Sequence, residues 1–198
     1  MKIHYIEQMS DEWFEARKGK MTASHAQAIA SGSKGLETYV YEIVAGMFSI
    51  GEKEQYTNPD IERGLELESM ARETYQIEHT TVEEVGFIEI DKYTGLSPDG
   101  LISTDGGLEI KSFNDVNHFK LICDGPKVID SKYKWQVQMS LLLTGRAWWD
   151  LAAFNPNFDR SLIIHRFYPD PASFKKLDAG IAKGKKLIRE KIKKYEHQ

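Results

Sequence analysis

Between residues 82 and 113 the chain reads as a run of β-strands, and three ionisable residues sit where strands bury side chains: Asp99, Glu109 and Lys111. The stretches 82–90, 95–102 and 107–113 are rich in β-branched and apolar residues, with turn signals at Asp91-Lys92 and Asp105-Gly106-Gly107. A hairpin closed at the second turn puts Asp99 and Glu109 face to face, each in the middle of its strand. Side chains alternate along a strand, so Glu109 and Lys111, two residues apart, leave the same face. A lysine and two acids are expensive to bury in a sheet unless the charges pair or a metal joins them.

The rest of the chain supplies layers for such a sheet. Residues 11–17 read as a short helix capped by Ser10, with Gly19 beyond its end. Thr22-Ala23-Ser24 precedes a second helix from about His25 to Ala30, stopped by Ser31-Gly32-Ser33. Helical periodicity spans 38–48, and after a turn at Asn58-Pro59-Asp60 it spans 61–77, where Leu65, Glu68, Ala71, Arg72 and Tyr75 recur at three- and four-residue spacing. Residues 114–130 carry no assignable pattern. Residues 131–143 are helical and stop at Thr144-Gly145; 147–154 and 162–168 are strands around Asn155-Pro156-Asn157; Pro169 and Pro171 lead into a basic helix from 172 to about 195. The expected class is α/β of the α+β type, a central mixed β-sheet flanked by helices in one domain spanning 1–198.

Net charge is −4, which alone argues against a nucleic-acid partner, but the charge is unevenly spread. From Lys175 to the end, nine Lys/Arg face three acids, a surplus of +6, which leaves −10 on the remainder. An acidic body with a basic tail suits a metal-binding carboxylate cluster plus a phosphate-seeking surface, and equally a solvated amphipathic helix on an acidic protein. The single cysteine, Cys123, excludes an intrachain disulfide, a four-cysteine zinc site and a chain-autonomous four-cysteine iron–sulfur cluster. No apolar stretch is long enough to span a bilayer, and Met1–Tyr5 lacks the apolar core of a signal peptide, so a soluble cytoplasmic protein with no membrane partner is expected.

Asp99, Glu109 and Lys111 suit phosphodiester hydrolysis. That reaction needs charge on the phosphoryl oxygens neutralised and water activated near neutral pH, and a divalent magnesium ion on hard oxygen ligands does both. Asp99 and Glu109 supply carboxylates, the Ile110 backbone carbonyl a neutral ligand, and Lys111 a group to orient or deprotonate water and to stabilise developing charge. The same residues also suit a surface hairpin with an ordinary Glu–Lys salt bridge.

Four blocks in order bear on that choice: Trp13-x-x-x-Arg17-x-Gly19-x-x-Thr22-Ala23-Ser24, Gly64-x-x-x-Glu68-x-x-Ala71-x-x-x-Tyr75, Ser97-Pro98-Asp99-Gly100 with Glu109-Ile110-Lys111, and Gln136-Val137-Gln138. Together they resemble the PD-(D/E)xK nucleases, in particular the phage lambda exonuclease and YqaJ-like viral recombinase group, from Trp13 to about Phe154. The resemblance implies a restriction-endonuclease-like core. It implies a Mg²⁺-dependent exonuclease, with Mn²⁺ a plausible substitute, that digests one strand of double-stranded DNA from a 5′-phosphorylated end. The product is a 3′ single-stranded tail for a single-strand annealing protein. A homotrimeric ring and a phage or prophage protein working in a bacterial cytoplasm follow from the same resemblance. Glu68 becomes an additional acid near the metal, rather than an exposed helix acid. Arg17, Ser24 and Ser97 become the 5′-phosphate pocket, rather than a surface charge and a helix cap, with His25 adjacent. Gln136 steadies the water or the lysine from a neighbouring helix, rather than facing solvent. Trp135, Trp148 and Trp149 are expected in the core or in subunit contacts. The rivals are a restriction-type endonuclease of the same superfamily and a non-catalytic DNA-end-binding protein.

Overall fold

Pro98 interrupts the stretch 95–102, because proline has no N–H to give a ladder and restricts the residue before it. The chain forms β4 (Thr94–Leu96), leaves the ladder for three residues, and resumes as β5 (Gly100–Ile102). The two halves join different sheets, so Asp99 lies at a break and not in mid-strand as its pattern suggested. The computed structural model describes residues 1–51 and 59–197, the side chains of 59–63 and 65 excepted. The Asn58 end of the expected turn and the Leu65 side chain therefore lie outside the described residues.

In one sheet, β1 (Lys2–His4), β3 (Phe87–Asp91), β4 and β2 (Met21–Thr22) lie in that order, with antiparallel, antiparallel and parallel pairings. In the other, β5, β6 (Gly106–Ser112), β7 (Trp148–Phe154) and β8 (Leu162–Phe167) alternate antiparallel, parallel and antiparallel. Among the described residues the expected mixed sheet is thus delivered as two mixed sheets of four strands each. At three and two residues, β1 and β2 are too short to show alternation. Only 87–91 of the stretch 82–90 and its margin forms ladder, Glu83 contributing a lone bridge to Leu101.

The helices begin where polar side chains take up orphan N–H groups. Ser10 caps α1 (Asp11–Arg17) by accepting from the Trp13 amide. After a single 3₁₀ turn at Ala23–His25 comes α2 (Ala26–Ser31), ended by Gly32 in the left-handed region at φ 59°. Helix α3 (Lys34–Phe48) starts four residues before the periodicity suggested, since Gly35 resembles a breaker while Leu36 is already buried. Then come α4 (Pro59–Glu78), α5 (Asp115–Asp124), α6 (Ser131–Thr144) and α7 (Pro171–Glu196). The segment without assignable pattern is thus largely α5, capped by Asn114; its apolar Val116 and Phe119 point to solvent, which hid the periodicity.

The largest core cluster joins α2, α3, α6 and α7 to the first sheet through Met21, Ile29, Leu36, Val40, Leu96 and Leu177. Helix α4 covers one face of the second sheet, with Ala71 and Tyr75 on Leu108, Ile110 and Phe154. Leu121 of α5 and Ile129 cover Leu151 and Ala153. Among the described residues no helix is long and apolar enough to cross a membrane.

Candidate active site

The break at Pro98 places Asp99 at the end of β5, beside β6. The Asp99 amide still donates to the Leu108 carbonyl at 3.2 Å, while its Oδ2 accepts the Ile110 N–H at 2.5 Å. A residue's N–H and C=O point to the same edge of a strand. The Ile110 carbonyl therefore faces the edge that β5 has vacated, next to the Asp99 carboxylate.

Alternation sends Leu108 and Ile110 toward α4 and Glu109 and Lys111 toward α6. Glu109 is 2% exposed, and its Oε1 takes both Lys111 Nζ at 2.6 Å and Gln136 Nε2 at 2.5 Å. Lys111 also stands 5.4 Å from the centre of the Tyr133 ring. From the opposite layer Glu68 ion-pairs with Arg72, one turn on in α4, at 2.6 Å. The Arg72 guanidinium spends its remaining nitrogens on Glu84 at 2.9 Å and on the Asp99 carbonyl at 3.1 Å. It thereby ties α4 to the strand break. Glu68, Arg72 and Asp99 line an open groove of about 480 Å³, walled on its other side by Tyr5 and Gln8.

Three acids face two cations, and the proton affinities register the deficit. Burial, then the Asp99 carboxylate, pushes Glu68 up to about 7, against the pull of Arg72 and Lys111. Burial raises Asp99, opposed by Lys111, the Ile110 N–H and Arg72. Burial pushes Glu109 up to about 8, with Lys111 opposing while Asp99 and Glu68 add to the rise. Burial pulls Lys111 down, yet Glu109 and Asp99 outweigh it and hold the ammonium firmly protonated. Among the described residues no three His, Cys, Asp or Glu side chains already form a metal cage. Asp99, Glu109 and the open Ile110 carbonyl do make a hard oxygen set short of positive charge, which fits a magnesium-type cation.

A second cluster builds on α1. Arg17 donates through Nη1 to Ser97 Oγ at 2.7 Å, and Trp13 Nε1 reaches the same oxygen at 2.9 Å and the Gly86 carbonyl at 3.0 Å. The guanidinium also lies 4.1 Å above the Trp13 ring. Burial holds Arg17 below its usual value. Behind it is a cavity of about 280 Å³ whose lining includes Lys20, Thr22, His25, Tyr39 and Glu42.

The fold thus gathers Asp99, Glu109, Lys111, Gln136 and Glu68 into one electrostatic unit, and Arg17 with Ser97 into another. Ser24 stands apart from that pair, its hydrogen bonds running to Thr22 and His25. Trp149 is fully buried and Trp148 stacks on Arg166 at 3.6 Å. Sequence reasoning counted Arg72 only as helix periodicity; its position four residues after Glu68 was the available signal. Tyr39 and the Trp13 N–H carried no signal, since their partners are distant in sequence.

The chain resembles two solved forms of an alkaline exonuclease from Laribacter hongkongensis. For the first of these, 28% of residues are identical over 95% of this chain and 97% of that one, with a TM-score of 0.85. For its complex with dAMP the identity and coverage are the same and the TM-score is 0.84. A phage-related exonuclease from Haemophilus somnus 129PT shares the fold at 14% identity, with a TM-score of 0.65 over 89% of this chain and 96% of that one. No curated protein matches the chain. The family model of the YqaJ-like viral recombinase domain matches residues 12–147, a span that carries all of α1 but its first residue, the strand break, Glu109 and Gln136. By that match over more than half its length, the chain belongs to the YqaJ-like viral recombinase family.

Proposed function

We propose that this recombination-related nuclease is a Mg²⁺-dependent 5′-to-3′ exonuclease acting on double-stranded DNA ends. One observation carries the proposal: Glu68, Asp99 and Glu109 crowd against Lys111 and Arg72 with less positive charge than they need, at a strand edge that leaves the Ile110 carbonyl open. Asp99, Glu109 and that carbonyl would hold the ion, which would supply positive charge against the phosphoryl oxygens of a scissile phosphodiester. Lys111, kept protonated by its neighbours, donates to the developing negative charge and orients water rather than removing its proton. Gln136 fixes the Glu109 carboxylate, and Glu68 adds a second-layer acid through Arg72. Arg17 and Ser97 receive the terminal 5′ phosphate, with Ser24 assigned to the same pocket although its own hydrogen bonds run to Thr22 and His25, and set the register of the first bond to be cut.

Seating of dAMP on the Laribacter neighbour supports release of mononucleotides. The remaining strand is a 3′ tail, which an annealing protein would take up, in the cytoplasm of a bacterial host. Three copies closed into a ring around the duplex would keep the enzyme on its substrate between cuts.

The test uses linear duplex labelled at the 5′ or the 3′ end, with and without a 5′ phosphate, in Mg²⁺ or EDTA. Early release of the 5′ label from phosphorylated ends, abolished by EDTA and by Asp99→Ala, is expected. Cutting of covalently closed circles would assign an endonuclease instead. No Mg²⁺-dependent release at all would assign a DNA-end-binding protein.

A further inference from the structure

Ser24 is held in a closed ring of four residues. Tyr39 Oη accepts the Thr22 amide at 3.0 Å and contacts Thr22 Oγ1 at 3.2 Å. Thr22 Oγ1 lies 3.1 Å from Ser24 Oγ, and Ser24 Oγ lies 3.2 Å from His25 Nδ1. The His25 and Tyr39 rings close the circuit by stacking, with centroids 3.9 Å apart and planes 7° from parallel. Tyr39 and Thr22 are buried, while Ser24 and His25 are exposed. His25 shares the lining of the cavity behind Arg17.

Each oxygen-to-oxygen or oxygen-to-nitrogen contact in this ring holds one proton, so its direction matters. Tyr39 Oη already accepts from the Thr22 backbone, so its own proton is best spent on Thr22 Oγ1, and the Thr22 proton then goes to Ser24 Oγ. The last link decides the outcome. If Ser24 donates to a bare Nδ1, it turns a lone pair toward any incoming anion. If Nδ1 carries the proton and donates to Ser24, the serine accepts from both neighbours and its own O–H is left for the anion.

We infer that His25 is a positioning residue that sets the Ser24 hydroxyl as a donor to the 5′-terminal phosphate of a DNA end. The inference rests on the proposal that Ser24 belongs to the phosphate pocket. Although the residue is exposed overall, partial burial of its ring holds His25 below the ordinary histidine value, with Glu42 opposing and Arg17 adding to the fall. At pH 8 the ring is neutral, and the choice lies between its two tautomers. The stack on Tyr39 fixes the ring plane, and a phosphate beside Ser24 selects the Nδ1–H form.

The test measures the ratio of initial rates on 5′-phosphate and 5′-hydroxyl duplex ends at pH 8, in the whole 198-residue chain. Wild type is compared with Ser24→Ala, His25→Ala, the double variant and His25→Asn, whose amide N–H can stand where Nδ1 stands. A lost hydrogen bond to a charged group corresponds to a fall of about ten-fold in that ratio. Ser24→Ala and His25→Ala should each lower the ratio by about that factor, the double variant should fall no further than either, and His25→Asn should stay close to wild type. Thermal melting keeps a misfolded variant from being misread. An unchanged ratio in His25→Ala alongside a fall in Ser24→Ala overturns the role of His25 and leaves the pocket standing. Additive losses overturn it too, because His25 would then act independently of Ser24. A wild-type ratio of one, or an unaffected Ser24→Ala, refutes the pocket itself and the inference with it.

Discussion

Glu109 accepts from a lysine and a glutamine, yet burial and two neighbouring acids hold its carboxyl up at about 8, far above its ordinary 4.5. Its neutral form favours the fold, so that stabilisation is complete below about pH 4.5 and is lost as pH rises through about 8. The metal-free protein should therefore melt lower at pH 8 than at pH 5. Glu109→Gln keeps the shape without the charge. In EDTA at pH 8 it should raise Tm by about 5 °C, a shift of order 2 kcal/mol for a chain this long, while abolishing Mg²⁺-dependent cleavage. Calorimetric scans at both pH values check this, and a variant that melts lower than wild type at pH 8 contradicts it. The cluster was legible in sequence because the Pro-Asp and Glu-x-Lys elements lie on either side of one short turn. Arg72 was not, because its value lies in joining three acceptors that only folding brings within reach: Glu68, Glu84 and the Asp99 carbonyl.

Most elements were legible wherever periodicity ran for several turns or caps were explicit, as with α1, α6, α7, β6 and β7. Failures had local causes: Pro98 divided a run that otherwise looked continuous, β1 and β2 were too short, and α5 kept apolar side chains on its wet face. The site depends on the first of these, since an unbroken strand would carry Asp99 away from the edge where it meets Ile110. The seating of α7 depends on glycine: a methyl at Gly180 would run into the Ile29 carbonyl of α2, and one at Gly184 into Met21 Sδ of β2. Ile29 is a backbone obstacle, so the helices must separate. Gly180→Ala should lower Tm by about 5 °C, the shift expected for roughly 2 kcal/mol of lost packing, without changing the proposed preference for phosphorylated ends. An unchanged Tm would mean that α7 is not seated closely on α2.

The whole molecule combines an acidic body of −10 with a C-terminal stretch of +6. Several cations of α7 are internally engaged: Lys185 with Asp91 at 2.6 Å, Lys183 with Glu37 at 3.8 Å, and Lys186 with Glu190 at 3.9 Å. Part of the basic surplus therefore fastens the helix to the acidic body rather than seeking phosphate. The proposed ring contains three copies, so light scattering at micromolar concentration should return the mass of three; a mass of one would contradict the ring. The proposed activity depends on a cation held between Asp99 and Glu109. Electron paramagnetic resonance of Mn²⁺ titrated into the protein at pH 8 tests that dependence most directly. Wild type should capture the ion at a site that Asp99→Ala and Glu109→Gln each abolish, and that weakens as pH falls below about 8 and protons reclaim the Glu109 carboxylate. Equal Mn²⁺ binding by wild type and both variants would contradict the account.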